Sequence, residues 1–100
     1  MKILALEHNP PGISAADQFT AALLQDEARR VWELYQAGII RELYFRADRR
    51  AAVLMLECAS LEEAQAGLNT LPLVREKLIE FELIPLIAYP GFARLFTAEE

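Results

Sequence analysis

The chain carries one cysteine, Cys58, and one histidine, His8. A lone cysteine excludes an internal disulfide and any zinc site built on several thiolates. It fits a reducing setting, so a cytoplasmic location is expected. A lone histidine cannot hold a metal without helpers, and no His/Asp/Glu spacing in the chain supplies them. No apolar run approaches the roughly 18 residues that a membrane span needs, and no membrane partner is expected. The short apolar run from Ile3 to Leu6 is too brief for a signal peptide and reads as a strand. Positive charge is also scarce: 10 basic residues stand against 15 acidic ones, for a net charge of −5. That argues against a nucleic-acid partner bound by phosphate neutralisation. Arg46, Arg49 and Arg50 cluster locally, but around a turn, which reads as a solvated loop. The chain has only four glycines. They form neither a phosphate-cradling loop nor a nucleophile elbow.

What the chain does have is apolar surface. Hydrophobic residues make up 54% of it before the glycines are counted, whereas a typical soluble domain reaches about 45–50% with glycine included. A length of 100 residues suits a single domain over residues 1–100,. One modest core cannot bury that excess. A homodimer or higher homo-oligomer is therefore expected.

The periodicity gives an order of elements. Lys2 to Glu7 reads as a strand, ended by His8-Asn9-Pro10-Pro11-Gly12,. From about Ala15 to Ala37 the period becomes helical, with Phe19, Leu23, Leu24, Ala28, Val31, Trp32 and Tyr35 on one face and Gly38 as the stop,. Ile39 to Ala47 and Ala51 to Ala59 read as two strands of a hairpin with Asp48-Arg49 at its tip,. Ser60-Leu61-Glu62-Glu63 is a capping box for a short helix to about Asn69, and Pro72 is expected to break it,. Leu78 to Tyr89 reads as the last strand, with Pro85 at an edge or bulge,. The order β-α-β-β-α-β folds with right-handed crossovers into an α+β, ferredoxin-like sandwich. It has a four-stranded antiparallel sheet with two helices on one face.

Two helices leave the other face of the sheet uncovered. The strands do not alternate cleanly between apolar and polar, as a solvated face requires. Face-to-face packing of two sheets in a twofold dimer would bury them, as a dimeric α+β barrel. A two-residue tip sets Leu43 opposite Leu54, Phe45 opposite Ala52, Tyr44 opposite Val53 and Glu42 opposite Met55. The first two pairs suit the helix-covered side. Glu42, Tyr44 and Met55 then fall on the dimer side, where a cleft could bind a small molecule. An odd loop would reverse the two faces.

Glu27 is the most informative residue, because it lies inside the apolar stripe of the first helix. A carboxylate there either reaches solvent at the stripe's edge, paired with Arg30 or Arg41, or is desolvated. Desolvation raises its pKa and makes it a general acid or base. His8 ends a strand beside a loop, a plausible place for a site residue. Glu7, Glu42, Glu57 and Glu82 lie in or beside strands; gathered together they would suit proton abstraction, and apart they are solvated. Arg41 could hold a carboxylate bidentately. Tyr44 and Met55 could shape a pocket. Cys58 has no basic neighbour in sequence and reads as an inert core thiol.

Several stretches in order resemble the muconolactone isomerase-like proteins of the dimeric α+β barrel superfamily. They are Asp26-Glu27 with Gly38 eleven residues after Glu27, Arg41-x-Leu43-Tyr44, Leu71-Pro72-Leu73, and the strand end from Glu82 to Pro90. The resemblance implies a small oligomeric enzyme of aromatic-compound catabolism that needs no cofactor and moves a double bond by moving a proton. It implies Glu27 as the acid/base, with Arg41 matching an arginine of the following strand. This chain has Glu42 where the family has histidine and Tyr44 where it has tryptophan. Two other readings stay open: a non-catalytic small-molecule-binding or assembly module, and a monooxygenase-like barrel.

Overall fold

A computed structural model describes residues 1–12 and 18–96. Its elements are β1 (Lys2–His8), α1 (Ala21–Gln36), β2 (Ile40–Phe45), β3 (Ala52–Glu57), α2 (Leu61–Leu68), α3 (Pro72–Arg75) and β4 (Glu80–Leu86), followed by a 3₁₀ turn at Gly91–Leu95. The strands form one antiparallel sheet in the order β2-β3-β1-β4. Leu34 of α1 and Ala64 and Leu68 of α2 share one buried cluster with Ile3, Ala5, Leu54 and Leu56. Both long helices therefore cover the same face of the sheet, and the fold is the ferredoxin-like sandwich.

Local chemistry fixes the helix ends. Thr20 caps α1, its hydroxyl accepting from the Leu23 N–H at 3.1 Å. The expected start near Ala15 lies outside the described residues. Gly38, at φ 84°, ends α1. The Ile39 N–H donates to the Leu34 carbonyl and the Gly38 N–H to the Tyr35 carbonyl, the paired bonds of a Schellman stop,. Ser60 caps α2 through the Glu63 N–H at 3.0 Å, but the Glu63 carboxylate reaches past Ser60 to the Ala59 N–H at 2.7 Å.

Four expectations change. Pro72 does not simply break a helix; it opens α3, where the first position needs no N–H donor,. The residue of α1 that is buried is Leu34, whereas Trp32 is 57% and Tyr35 44% exposed. The stripe that meets the sheet runs Leu24, Glu27, Val31, Leu34, and Trp32 and Tyr35 sit about a quarter-turn from it. The hairpin loop is the four residues from Ala47 to Arg50, since the Arg46 N–H donates to the Ala51 carbonyl. That loop is even in length, so the expected pairings Glu42↔Met55, Leu43↔Leu54, Tyr44↔Val53 and Phe45↔Ala52 hold. Finally, the register shifts between Ile40 and Glu42, which puts Arg41 in a bulge,.

The sheet's other face has no helix on it. Alternation along β1 places Leu4 and Leu6 there, beside Met55 and Val53 of β3 and Ile84 of β4. None of these is buried, although their strand neighbours Ile3, Ala5, Leu54 and Leu56 all are. Past β4 the chain exposes Ile87, Tyr89, Phe92, Leu95 and Phe96. The radius of gyration is 16.8 Å, against about 13 Å for a compact chain of this length.

Candidate active site

A cavity of about 500 Å³ opens between α1 and the covered face of the sheet. That size is in the range of small-molecule sites. α1 contributes Leu24, Glu27, Ala28 and Val31, and β2 and β3 contribute Leu43, Phe45, Ala52 and Leu54. Ile79, Phe81 and the segment with Leu71 and Leu73 also line it. The cavity explains why Leu43 and Phe45 remain 38% and 60% exposed on the covered face. The charged residues of its wall are Glu7, Glu27 and Arg50.

Glu27 is placed by the α1 stripe and held by α3. Pro72 has no N–H, and Leu71 offers no side-chain cap. The Leu73 N–H is thus a free donor of the first turn, and it donates to Glu27 Oε1 at 2.9 Å,. Burial pushes the Glu27 carboxyl above the ordinary 4.5, opposed by the Leu73 N–H; the Glu7 charge adds to the rise and Arg75 opposes it,. Burial against apolar walls thus outweighs the hydrogen bond, the direction that lets a carboxyl keep its proton to higher pH than a solvated one,.

The strand glutamates Glu7, Glu42, Glu57 and Glu82 are not gathered together; of the four, Glu7 borders the same cavity. The signal was available: Ile3, Ala5 and Glu7 alternate onto one face of β1, and the first two are fully buried,. Its Oε1 accepts from the Ala52 N–H at 2.8 Å, one step beyond the last β1–β3 pair, Leu6↔Val53. Arg50 was read as part of a solvated loop. Its guanidinium lies 5.3 Å from the centre of the Phe45 ring, at the cavity wall,.

The other expected site residues are spread out. Tyr44 borders the cavity, and its hydroxyl donates to Glu42 Oε1 at 2.9 Å. That bond and the Glu42 charge hold the phenol above its ordinary range. Arg41 does not pair with Glu27; from its bulge it donates through Nε to the Gly38 carbonyl at 2.8 Å. Arg30 does not pair with Glu27 either, being tied to Thr70 and Glu33. Met55 and Glu42 lie on the open face, and His8 Nδ1 sits 3.6 Å from Glu80 Oε1 at an exposed strand end. His8, Arg41, Glu42 and Met55 are not part of the cavity wall. The cavity described lies on the helix side of the sheet, whereas the expected cleft was one that a second copy would form over the open face. Burial also pushes the Cys58 thiol up, which keeps it protonated and inert,. Among the described residues no cluster of three His, Cys, Asp or Glu side chains could hold a metal ion, and no helix is long and apolar enough to cross a membrane.

A solved structure of muconolactone isomerase superimposes on this chain with a TM-score of 0.68, covering 91% of this chain and 93% of that one. The fold is that of muconolactone isomerase. Sequence identity to that enzyme is 21%, so the likeness is one of fold, and a fold alone does not carry an activity. No protein-family model and no curated protein matches the sequence.

Proposed function

We propose that the chain is a cofactor-free proton-transfer isomerase acting on a small organic acid or lactone, with Glu27 as the acid/base. The observation that carries this reading is the Glu27 carboxyl itself: half-buried, bordering a cavity of ligand size, and oriented by one backbone N–H. The muconolactone isomerase fold supports the same class of reaction. Arg50 takes the place expected of Arg41, bringing a guanidinium to the cavity where it can meet the carboxylate of an organic acid,.

The apolar walls do three things for such a reaction. They bind the carbon skeleton, shield it in part from water, and raise the Glu27 pKa, the direction that favours a group able both to take and to give a proton,. A proton next to a carbonyl passes to the free oxygen of Glu27. The electron pair it leaves behind is delocalised into the carbonyl, and a proton returned further along the chain completes the double-bond shift.

A second reading is a small-molecule-binding module without catalysis. It is favoured by the Glu27–Leu73 bond, which gives Glu27 a structural task as a cap for α3. α-Angelica lactone separates the two. It is a small lactone whose double bond moves into conjugation when one ring proton is shifted, and the product absorbs in the ultraviolet. The expected result is acceleration by the wild-type chain and a loss of about a hundredfold or more in Glu27→Gln, which keeps an acceptor for Leu73. Saturable binding of the lactone with no acceleration would favour the binding module.

The reading includes a homodimer or larger homo-oligomer. Leu4, Leu6, Val53, Met55 and Ile84 form an uncovered apolar surface, and a second copy of the sheet would cover it,. The interface expected of a stable pair is roughly 800 Å² per chain.

A further inference from the structure

We propose that the substrate of this cavity is elongated: a lactone or acid whose reacting carbons lie at Glu27 and whose apolar chain crosses the sheet to Phe45. The proposal rests on the proton-transfer reading above for the reacting group, and it adds the chain. Its basis is the cavity floor. Phe45 of β2 pairs with Ala52 of β3, the Ala52 N–H donates to Glu7 of β1 at 2.8 Å, and Glu7 pairs with Phe81 of β4. These residues form one row across the whole sheet, and all of them line the cavity. At about 4.8 Å per strand spacing, the row is about 14 Å long.

The two ends of the row differ. At the β4 end, Leu73 belongs to a buried cluster with Leu78 and Ile79, and Phe81 packs against that cluster. The Leu73 N–H is the donor that holds Glu27, so the acid/base is anchored at this end. At the β2 end, the Arg50 guanidinium lies 5.3 Å from the centre of the Phe45 ring. An acid of this class therefore bears its carboxylate at the end of the chain, away from the reacting carbons, where a guanidinium can take it. Between the ends, Ala52 is the smallest residue of the row. Leu43 and Leu54, the next pair on the same face, continue the apolar wall.

Size points the same way. The cavity holds about 500 Å³, several times the volume of a bare lactone ring. Leu43 and Phe45 stay exposed there, and an apolar chain laid on them removes that surface from water,. With the ring at the β4 end, about half of the row is left. That length takes about six extended carbons, at about 1.2 Å per bond.

Saturated γ-lactones test the chain without turnover, because they have no double bond to move. γ-Valerolactone, γ-heptalactone, γ-decalactone and γ-dodecalactone carry methyl, propyl, hexyl and octyl chains on the same ring. Calorimetric titration of the wild type is expected to show affinity rising about threefold to fourfold per methylene as far as hexyl, then levelling off. An affinity that does not depend on chain length overturns the proposal. Two variants locate the chain. Ala52→Leu fills the middle of the row, and Phe45→Ala removes its far end. Phe45 is more than half exposed, so the second variant leaves the core intact even where the first disturbs it. Each is expected to lower the affinity ratio of γ-decalactone to γ-valerolactone about tenfold or more, the worth of about two methylenes. A ratio that neither variant changes puts the chain elsewhere, such as on the open apolar face of the sheet, and overturns the proposal. Turnover separates this claim from the isomerase reading. The hexyl homologue of α-angelica lactone is expected to be isomerised with a kcat/KM at least about a hundredfold that of α-angelica lactone itself. Turnover of α-angelica lactone with no gain for the homologue overturns the chain and leaves the isomerase reading in place. Chain-dependent binding with no turnover of either lactone overturns the isomerase reading and supports the chain.

Discussion

Glu27 is both a cap for α3 and a desolvated acid, and the two tasks predict different variant behaviour. Glu27→Gln keeps an acceptor for the Leu73 N–H and removes the charge. Glu27→Ala removes both. Losing the acceptor strands a first-turn donor that Pro72 and Leu71 cannot help to satisfy. Loss of a cap costs about 0.5–2 kcal/mol and an unsatisfied donor about 1–3 kcal/mol. The alanine variant should therefore be less stable than the glutamine variant by at least about 1 kcal/mol, or about 4–8 °C in melting temperature for a domain of this size. The charge acts separately. The folded chain holds the Glu27 proton to higher pH than the unfolded chain, so wild-type stability falls as pH rises from 4.5 through the raised value, and stays at the lower level above it,. Glu27→Gln has no such step. Its stability relative to wild type should thus be more favourable at pH 7 than at pH 4, measured by urea denaturation at each pH. A stability of the variant relative to wild type that is the same at both, or less favourable to the variant at pH 7 than at pH 4, would refute the claim that burial governs this carboxyl. Equal stability of the alanine and glutamine variants would refute the cap.

Three further outcomes are expected. Leu34, at 2% exposure the anchor of α1 on the sheet, should cost about 2–5 kcal/mol when changed to alanine, read by chemical denaturation,. Lys77 holds φ 61° at the end of α3, where the Leu78 N–H donates to the Leu73 carbonyl and the Lys77 N–H to the Val74 carbonyl. Lys77→Gly should raise stability by about 0.5–1 kcal/mol, and a melting temperature that falls instead would contradict the assignment of strain there. Deleting the chain from Phe92 onward removes Phe92, Leu95 and Phe96, all more than half exposed. It should weaken self-association in sedimentation experiments, and an unchanged association constant would show that the tail does not dock on a partner.

Much of the fold was legible because it rests on short-range rules. The switch of period from two to three-and-a-half marked strand from helix, and Gly38 and Ser60 marked helix ends by the conformations that they favour or the donors that they satisfy. The register of β2 on β3 followed from parity alone, which is why a tip of the wrong length still paired the right residues. What was not legible depends on long-range geometry. Arg41 was lost to a bulge that turns it onto the Gly38 carbonyl, and no local pattern announces that. Glu7 was within reach of the alternation Ile3, Ala5, Glu7. Its importance, however, comes from the gap that α1 leaves over that end of the sheet. Glu27 was found for the converse reason: a carboxylate inside an apolar stripe is anomalous in the sequence itself.

Isomerase activity requires above all that Glu27 exchange protons with a ligand in the cavity. The measurement is deuterium uptake from heavy water at the ring carbon beside the carbonyl of α-angelica lactone, followed by proton NMR with wild type and Glu27→Gln side by side. The expected result is rapid uptake with the wild type and a rate at least about a hundredfold lower with the variant. Equal rates with the two proteins, each shown to be folded, would contradict it.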